Sequence, residues 1–412
     1  MDSEWVSWRL GTYLTMILLA AVVGGCASSE RDRGHTTVAD SAGVRVVSSG
    51  ARRAPEIGWK ISQEPSVVIG GEGGGETEVL YRVSSARVLA DGAILISNSG
   101  THELRVYESS GDLRHTFGRE GAGPGEFAAF SAMRVLDRRG DTIFVADQGN
   151  RRIQAFDLTG RFLWVMSPAV IPGYGRSSIF GRFTNGGWSS LMPVGSGRFG
   201  GSPGDLIEMS YAFSVYDSTL ESAQQIATAP ARPRMVNSLG GGAIHYPFVP
   251  LTPEPVYAVA GDRLILSASG DPEVKVFGSD GRLQSVFRWS ADRTSVDEIW
   301  DRYRQAFLED VRSDRRPAYE RFLADRRLPL PRQIPAVESI LVDAMDHVWV
   351  ARFRLPWISE RVWHVLAPDG EWVGNISTPA DVTVFEIGED YLLGKHSDEL
   401  GVERVVLYSL NR

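Results

Sequence analysis

The sequence predicts an all-β protein, a six-bladed β-propeller that is closed by an N-terminal strand and carries one short α-helical insertion. A glycine-rich segment at 117–127 has a degenerate twin, in which Gly70 corresponds to Gly118, 48 residues later. Short apolar segments and glycine turns follow both copies in the same order. A repeat of this length, made of short strands and tight turns, is typical of propeller blades.

Hairpin turns set the number of blades. Turns that contain glycine end four of the predicted hairpins, at Gly111, Gly160, Gly281 and Gly370. The interval between Gly160 and Gly281 is long enough for two blades, and the missing turn is placed at 216–220, where the glycine has been lost. A sixth unit begins at Val382 but has room for only three strands. We therefore expect Ser66–Ile69 to supply its fourth strand and close the ring.

Residues 43–412 are thus assigned to the propeller, and residues 291–333 within it to a helical insertion. Apolar residues from Ile299 to Val311 recur at helical spacing, and Ser295 with Glu298 predicts a capping box before them. Pro317 predicts the start of a second helix. A second insertion, around residues 170–206, is rich in glycine and serine and predicts a long surface loop.

The composition fits one large domain and disfavours one class of partner. The chain has 412 residues, of which 43% are hydrophobic, so it can bury a large core. Its formal net charge is −8. A nucleic-acid partner would favour a basic surface, so we expect no nucleic-acid binding.

The N-terminus predicts export. Residues 1–25 contain an apolar stretch of the size of a signal-peptide core and read as a signal peptide. Residues 26–42 begin with a polar stretch without periodicity and predict a flexible tether. Cys26 is the only cysteine of the chain, so disulfides are not expected.

The segment Val23-Gly24-Gly25-Cys26 resembles the lipobox of bacterial lipoproteins. The resemblance implies that Cys26 is lipidated and that the mature protein is held in the cell envelope, on the outer membrane, through this lipid alone. The alternative is a secretory signal with an incidental cysteine. The acidic Asp2 and Glu4 near the start depart from the usual positive charge of such signals.

Catalytic motifs are not evident in the sequence, and no catalytic residue is assigned. It contains neither His-Glu-x-x-His nor Gly-x-Ser-x-Gly, and none of the seven histidines pairs with another at ligand spacing. The metal ligands of an axial site would come from separate blades, so the sequence leaves them unknown. The stretch Asp147–Ile153 resembles a segment of NHL-type blades, where the Asp and Arg mostly bond turns and neighbouring strands.

One loop is a candidate for ligand binding. Arg352, Arg354 and Trp357 follow an apolar strand and combine guanidinium groups with an aromatic ring. Such a loop can hold an anionic or ring-containing ligand at a mouth of the channel. The alternative is ordinary loop packing, including packing against the inserted helices.

The mature chain resembles the six-bladed, NHL-related β-propeller lipoproteins of bacteria. The resemblance is carried by the residues Asp40–Val47, Phe117–Phe127, Val342–Val350 and Asp398–Val405. It implies the fold for essentially the whole mature chain, whereas this family has no generally assigned activity. Because a propeller presents loops around an axial funnel, a common place for ligands, we expect an envelope-tethered module that binds or scaffolds a protein, peptide, glycan or small molecule, rather than an enzyme. The alternative is a calcium-dependent, lactonase-type hydrolase or lyase with its site at the propeller axis, which fold analogy alone supports. Calcium is the only cofactor that either hypothesis implies.

Overall fold

The computed structural model describes residues 36–50, 54–71, 79–128, 133–170, 177–195, 200–240 and 243–412, which belong to one compact unit. The signal peptide at 1–25, Cys26 and most of the predicted tether lie outside the described residues. The last part of the tether was assigned wrongly, because Thr36–Ser41 forms a strand that pairs with Val44–Ser49. No described helix is long and apolar enough to span a membrane.

Most strands belong to six blades, numbered I to VI along the chain. Four short strands come before blade I: β1 (Thr36–Ser41), β2 (Val44–Ser49), β3 (Lys60–Ile61) and β4 (Val67–Ile69). Blade I contains β5 (Val83–Val88), β6 (Ile94–Asn98), β7 (Glu103–Tyr107) and β8 (Leu113–Phe117). The connection to blade II contains β9 (Arg119–Glu120) and β10 (Glu126–Phe127), which pair in parallel.

Blades II and III are separated from blade IV by a long connection. Blade II contains β11 (Met133–Arg139), β12 (Thr142–Asp147), β13 (Arg152–Asp157) and β14 (Phe162–Met166). Blade III contains β15 (Ser178–Arg182), β16 (Trp188–Val194), β18 (Ser210–Tyr216) and β19 (Ala223–Pro230), with the short β17 (Leu206–Ile207) between β16 and β18. The connection contains β20 (Arg234–Met235), β21 (Asn237–Gly240) and β22 (Ala243–His245).

Blades IV to VI complete the ring. Blade IV contains β23 (Val256–Ala260), β24 (Arg263–Ser267), β25 (Glu273–Gly278) and β26 (Leu283–Trp289), and β2 and β1 extend its outer edge. The helices α1 (Val296–Asp310) and α2 (Arg316–Leu323) follow it. Blade V contains β27 (Val337–Val342), β28 (Val348–Arg352), β29 (Glu360–Leu366) and β30 (Trp372–Pro379). Blade VI contains β31 (Val382–Ile387), β32 (Tyr391–Ser397) and β33 (Glu403–Asn411).

The predicted closure of the ring is confirmed. Strand β4 pairs antiparallel with β33 and thus supplies the fourth strand of blade VI, with Val68 opposite Val406. Ile69 is buried in the apolar cluster between blades VI and I, together with Leu80, Val83 and Leu393. The first strand of each blade contacts the first strand of the next, from β5 through β31 and back to β5.

The glycine-free turn of blade III keeps the geometry of the others. Gly111, Gly160, Gly281 and Gly370 have positive φ angles of 78–96°. Leu220 occupies the equivalent position with a φ of 62°, and its amide bonds the carbonyl of Asp217, three residues back, as in the glycine turns. Its side chain is buried, so apolar packing accompanies a backbone conformation that leucine rarely adopts.

Two details of the insertions differ from the prediction. Ser295 is the N-cap of α1, but its side chain makes no capping hydrogen bond. Its backbone instead pairs with Gln333, and the amide of Val296 bonds the carbonyl of Arg332, so the main chain satisfies this helix end. The loop predicted over 170–206 is also wrong, because β15 and β16 lie within it. The second helix begins at Arg316, one residue before the predicted start, with Pro317 in its first turn.

Candidate functional site

The first strands of all six blades surround one cavity of about 320 Å³ on the propeller axis. Successive strands of a blade run in opposite directions. The turns between first and second strands therefore lie on one side of the ring, here termed the turn face. The connections between blades lie on the opposite side, termed the connection face. Lining residues such as Arg139 and Gly261 lie at or just beyond the ends of first strands, so the cavity reaches the turn face.

Irregular pairing shapes this cavity. In five of the six blades the first strand shifts register against the second, as between Val135 and Asp137 in β11 and between Val384 and Glu386 in β31. A bulge changes the direction in which the following side chains point. Asp137, Arg138 and Arg139 follow the bulge in β11, and Glu386 follows the bulge in β31. All four residues line the cavity.

The charged groups in the cavity are mostly cationic. Five arginines and two carboxylates line it, although the whole chain carries a net charge of −8. Asp137 is shared by two of these arginines: its Oδ2 lies 2.8 Å from Nε of Arg139 and 3.7 Å from Nη1 of Arg182. A third, Arg138, donates to the carbonyl of Gly140 at 3.0 Å.

The side chains of the other two arginines, Arg87 and Arg134, have neither a hydrogen bond nor an ion pair with any residue that the structure describes. Water can reach the side chain of Arg134 inside the channel, yet protein surrounds it. The resulting loss of hydration lowers the pKa of Arg134, and the nearby Arg87 adds to this effect. An arginine still remains cationic at any physiological pH.

The second carboxylate, Glu386, is already engaged. Its Oε2 accepts a hydrogen bond from the amide of Val88 at 2.9 Å, and its Oε1 accepts one from the hydroxyl of Tyr391 at 3.1 Å. Burial and the Glu386 carboxylate both raise the pKa of Tyr391. Glu386 therefore joins blades I and VI and does not form a measured ion pair with either unpaired arginine.

An aromatic wall completes the cavity. Tyr257 stacks near Phe180 with their ring centroids 4.1 Å apart. Burial raises the pKa of Tyr257 to about 12, and the positive charge of Arg134 only partly opposes this. The phenol is thus neutral at physiological pH and keeps its proton as a hydrogen-bond donor. Apolar side chains, among them Phe180, Ile340 and Phe385, provide the remaining surface.

The loop predicted to bind a ligand lies elsewhere. Arg352 ends β28, and Arg354 and Trp357 lie in the following connection to β29, on the connection face; none of the three lines the axial cavity. The guanidinium of Arg302 in α1 lies 4.2 Å from the centroid of the Trp357 ring. Arg354 donates to the carbonyl of Ile358 at 3.1 Å. The structure thus places this loop against the inserted helix, and its role in ligand binding stays a prediction.

The NHL-like stretch has the structural role that the sequence favoured. Arg152 donates to Oδ2 of Asp147 at 3.0 Å, and to the carbonyls of Ala122, Gly123 and Glu126 at 2.7–2.8 Å. These bonds hold the glycine-rich turn against blade II. In blade I, Arg105 reaches the carbonyl of Val79 at 3.0 Å and pairs with Glu103. Arg105 thus resembles Arg152 in its contacts, although it lies two positions further along its strand than the equivalent of Arg152.

No group of three or more His, Cys, Asp or Glu side chains suited to a metal ion occurs within the described ranges. The calcium site of the alternative hypothesis can therefore be judged only from the donors in the cavity. Its two carboxylates, Asp137 and Glu386, already accept hydrogen bonds from protein groups.

Comparison with known proteins supports the fold and leaves the activity open. A family model described as DUF5128, 6-bladed beta-propeller, matches residues 78–168. No curated protein matches the sequence. A solved structure of a DUF4221 family member from Bacteroides vulgatus is 11% identical with a TM-score of 0.50, and the match covers 86% of this chain and 98% of that one.

Two further solved structures have lower scores. A protein from Bacteroides fragilis is 14% identical with a TM-score of 0.46, covering 89% of this chain and 98% of its own. A gluconolactonase from Xanthomonas campestris is 12% identical with a TM-score of 0.42, covering 85% and 100%. At such identities the similarity concerns the propeller fold alone.

Proposed function

We propose that this chain is a lipid-anchored protein of the bacterial cell envelope whose propeller binds a small molecule in its axial cavity. The observation that carries the proposal is the cavity itself. All six blades line it, and its volume of about 320 Å³ falls within the range of small-molecule sites. Its walls combine five arginines, two carboxylates and a tyrosine with apolar side chains, so they offer partners to the polar and the apolar parts of a ligand.

The unpaired arginines favour binding over a purely structural role. The side chains of Arg87 and Arg134 form no hydrogen bond or ion pair with a described residue, whereas the other cavity arginines each bond a neighbour. A ligand that pairs with both guanidinium groups would supply the partners that the described part of the protein does not.

The lipid anchor is proposed from the sequence alone. An apolar segment ends in Val23-Gly24-Gly25-Cys26, and a lipid on Cys26 would hold the propeller at the membrane. The test is mass spectrometry of the mature N-terminus, together with membrane fractionation of a Cys26→Ser variant. We expect a lipid-modified Cys26 and release of the variant from the membrane. A variant that stays in the membrane fraction would exclude the anchor without affecting the cavity.

Calcium fits the cavity poorly. Calcium prefers six to eight oxygen ligands, mostly carboxylates and carbonyls. The cavity offers two carboxylates that are already hydrogen-bonded, and five guanidinium groups whose positive charges oppose a cation. Elemental analysis of the purified protein tests the lactonase-type alternative directly. Stoichiometric, tightly bound calcium would favour it over the binding module.

A cavity-filling variant tests the site. Ala258 lies on β23 and lines the cavity, so Ala258→Trp should block it. The control is Ala223→Trp on the exposed start of β19. A thermal-shift screen of acidic, neutral and basic small molecules should find ligands that stabilise the wild type and the control but not the blocked variant. Ligands that stabilise all three equally would place the site elsewhere.

The connection-face loop provides a competing site for the same screen. An Arg352→Ala, Trp357→Ala double variant should respond to cavity ligands like the wild type. If this variant loses the response while Ala258→Trp keeps it, the loop and not the cavity binds the ligand.

A further inference from the structure

We propose that the axial cavity selects small organic anions and that Arg87 and Arg134 hold the anionic group. This inference rests on the proposed function and names the ligand class of the same site. It begins with the charge balance of the lining, where five arginines face two carboxylates. A cleft lined by one sign of charge and walled by protein concentrates ions of the opposite sign.

Three of the five cavity arginines already bond protein groups, which leaves two arginines to bind an anion. Arg139 and Arg182 share Asp137, and Arg138 is held by a backbone carbonyl. These three groups are committed to the protein. Arg87 and Arg134 line the same cavity and bond no described residue, so their guanidinium donors are available. A guanidinium presents its donors in a planar fork that matches a carboxylate or a phosphate.

The two arginines come from adjacent blades. Arg87 lies on β5 and Arg134 on β11, and the serines around them tie the two strands together. Ser85 accepts a hydrogen bond from the amide of Val135 at 3.0 Å, and Ser84 donates to the carbonyl of Met133. These hydrogen bonds join the first strands of blades I and II beside the two arginines, which favours binding of an anion to both groups without rearrangement.

The cavity residues other than the arginines indicate what the uncharged part of the ligand looks like. Tyr257 keeps its phenolic proton and lies close enough to Arg134 to be influenced by its charge. It can donate a further hydrogen bond to an anion held there. Phe180, Ile340 and Phe385 add apolar surface in the same space. An anion with a compact apolar or ring-containing body fits these walls better than a fully hydrated inorganic ion.

A matched set of probes tests the charge preference on the mature protein. Benzoate, benzamide and benzylamine share a ring and differ in charge, and inorganic phosphate serves as an anion without an apolar body. We expect benzoate to bind at least about tenfold more tightly than benzamide, because hydrogen bonds between charged groups are the strong ones. Phosphate should bind more weakly than benzoate, and benzylamine should not compete for the site.

Charge-removing variants then test the two arginines. Arg87→Gln and Arg134→Gln should each weaken benzoate binding about tenfold or more. Arg282→Gln, which removes an exposed arginine outside the cavity, should leave it unchanged. The melting temperature without ligand provides an independent readout. It should stay equal or rise in both cavity variants, because each substitution removes an unpaired charge.

The outcomes separate this inference from the proposed function. If benzamide binds as tightly as benzoate and Ala258→Trp abolishes both, the cavity is a binding site but not an anion site. If the two glutamine variants bind benzoate like the wild type, the assignment to Arg87 and Arg134 is wrong. If none of the four probes binds in the cavity, the anion preference is overturned, whereas other ligands from the wider screen would still support the cavity.

Discussion

At the scale of single residues, the buried carboxylate of Asp343 connects distant parts of the chain. It is buried in the first turn of blade V and accepts hydrogen bonds from Nε1 of Trp349 at 2.9 Å and Nη1 of Arg412 at 2.7 Å. Arg412 also lies over the ring of Trp59, 4.4 Å from its centroid. One ion pair thus connects the N-terminal segment, blade V and the last residue of blade VI.

This pair predicts a pH-dependent stability. Burial alone would raise the pKa of Asp343, but the bonds from Trp349 and Arg412 hold it below the ordinary 3.8. The ionised carboxylate therefore stabilises the fold above that value, and this contribution is lost as the pH falls through the lowered pKa. Arg412→Gln should reduce the free energy of unfolding by about 3 kcal/mol at neutral pH, because it leaves a buried charge without its partner.

Denaturant unfolding across the acidic range measures this effect. The difference between wild type and Arg412→Gln should narrow as the pH falls, since protonated Asp343 no longer needs the arginine. The exposed pair of Arg282 with Asp280 provides the control, and Arg282→Gln should change stability by less than about 0.5 kcal/mol. A difference for Arg412→Gln that stays constant with pH would contradict the assigned role.

The affinity of the cavity for its ligand, in contrast, should not depend on pH near neutrality. Among the residues that the structure describes, neither histidine nor cysteine lines the cavity. Arg87 and Arg134 stay cationic, and Tyr257, with a pKa of about 12, stays protonated. Benzoate binding, measured by calorimetry, should therefore be independent of pH between about 6 and 9. A clear loss of affinity within that interval would show that another titrating group controls the site.

These residues show where sequence reasoning stopped. The arginine-aromatic loop at Arg352–Trp357 was recognisable because its residues are adjacent in the chain. Arg87, Arg134 and Tyr257 meet only after three blades are placed around one axis. Neither their neighbours in the sequence nor their spacing reveals that they lack partners, because partners in a propeller come from other blades.

At the scale of elements, the turns between third and fourth strands can be compared within one chain. A Cβ at Gly160, with φ of 84°, would lie 2.5 Å from the side chain of Phe117 in the preceding blade. At Gly111, with φ of 96°, the nearest atom would be 3.6 Å away, which is an ordinary contact. Both positions impose the same backbone strain on alanine, and only Gly160 adds a steric clash.

Gly111→Ala should therefore cost about 1 kcal/mol, from backbone strain alone. Gly160→Ala should cost about 1–3 kcal/mol more, because Phe117 must move. Thermal and chemical denaturation of the two variants measures the difference. Equal costs would mean that the contact between blades at Phe117 is easily rearranged.

Glycine turns located hairpins more reliably than any other feature of the sequence. Where the glycine was missing, the sequence said little about the local structure. Four hairpins were located by glycine, and the fifth was placed correctly near Leu220 only from the spacing. The glycine- and serine-rich composition of residues 170–206 led to the prediction of a loop where β15 and β16 lie, because it obscures the strand pattern. The capping box failed for a related reason: the backbone partner of Ser295 is Gln333, distant in the chain.

At the scale of the whole molecule, stability depends on how the ring is closed. Strand β4 joins β33, and adjacent residues of β4 face opposite environments: Ile69 is buried and Val68 is half exposed. Ile69→Ala should lower the free energy of unfolding by about 2–5 kcal/mol. Val68→Ala, on the same strand, should change it by no more than about 0.5 kcal/mol.

Calorimetry tests whether this closure belongs to the cooperative unit. If it does, Ile69→Ala moves the main unfolding transition to lower temperature, because both ends of the ring meet in blade VI. A small early transition, with the main transition unchanged, would show that the closing strand detaches independently of the propeller.

The axial anion site is the central claim, and crystals soaked in 4-bromobenzoate test it most directly. This compound combines a carboxylate with a ring, as benzoate does, and its bromine can be located by anomalous scattering. We predict an anomalous peak inside the cavity, with the carboxylate oxygen atoms within hydrogen-bonding distance of the guanidinium groups of Arg87 and Arg134. Bromobenzoate bound at surface arginines, with none in the cavity beside these two residues, would contradict the account.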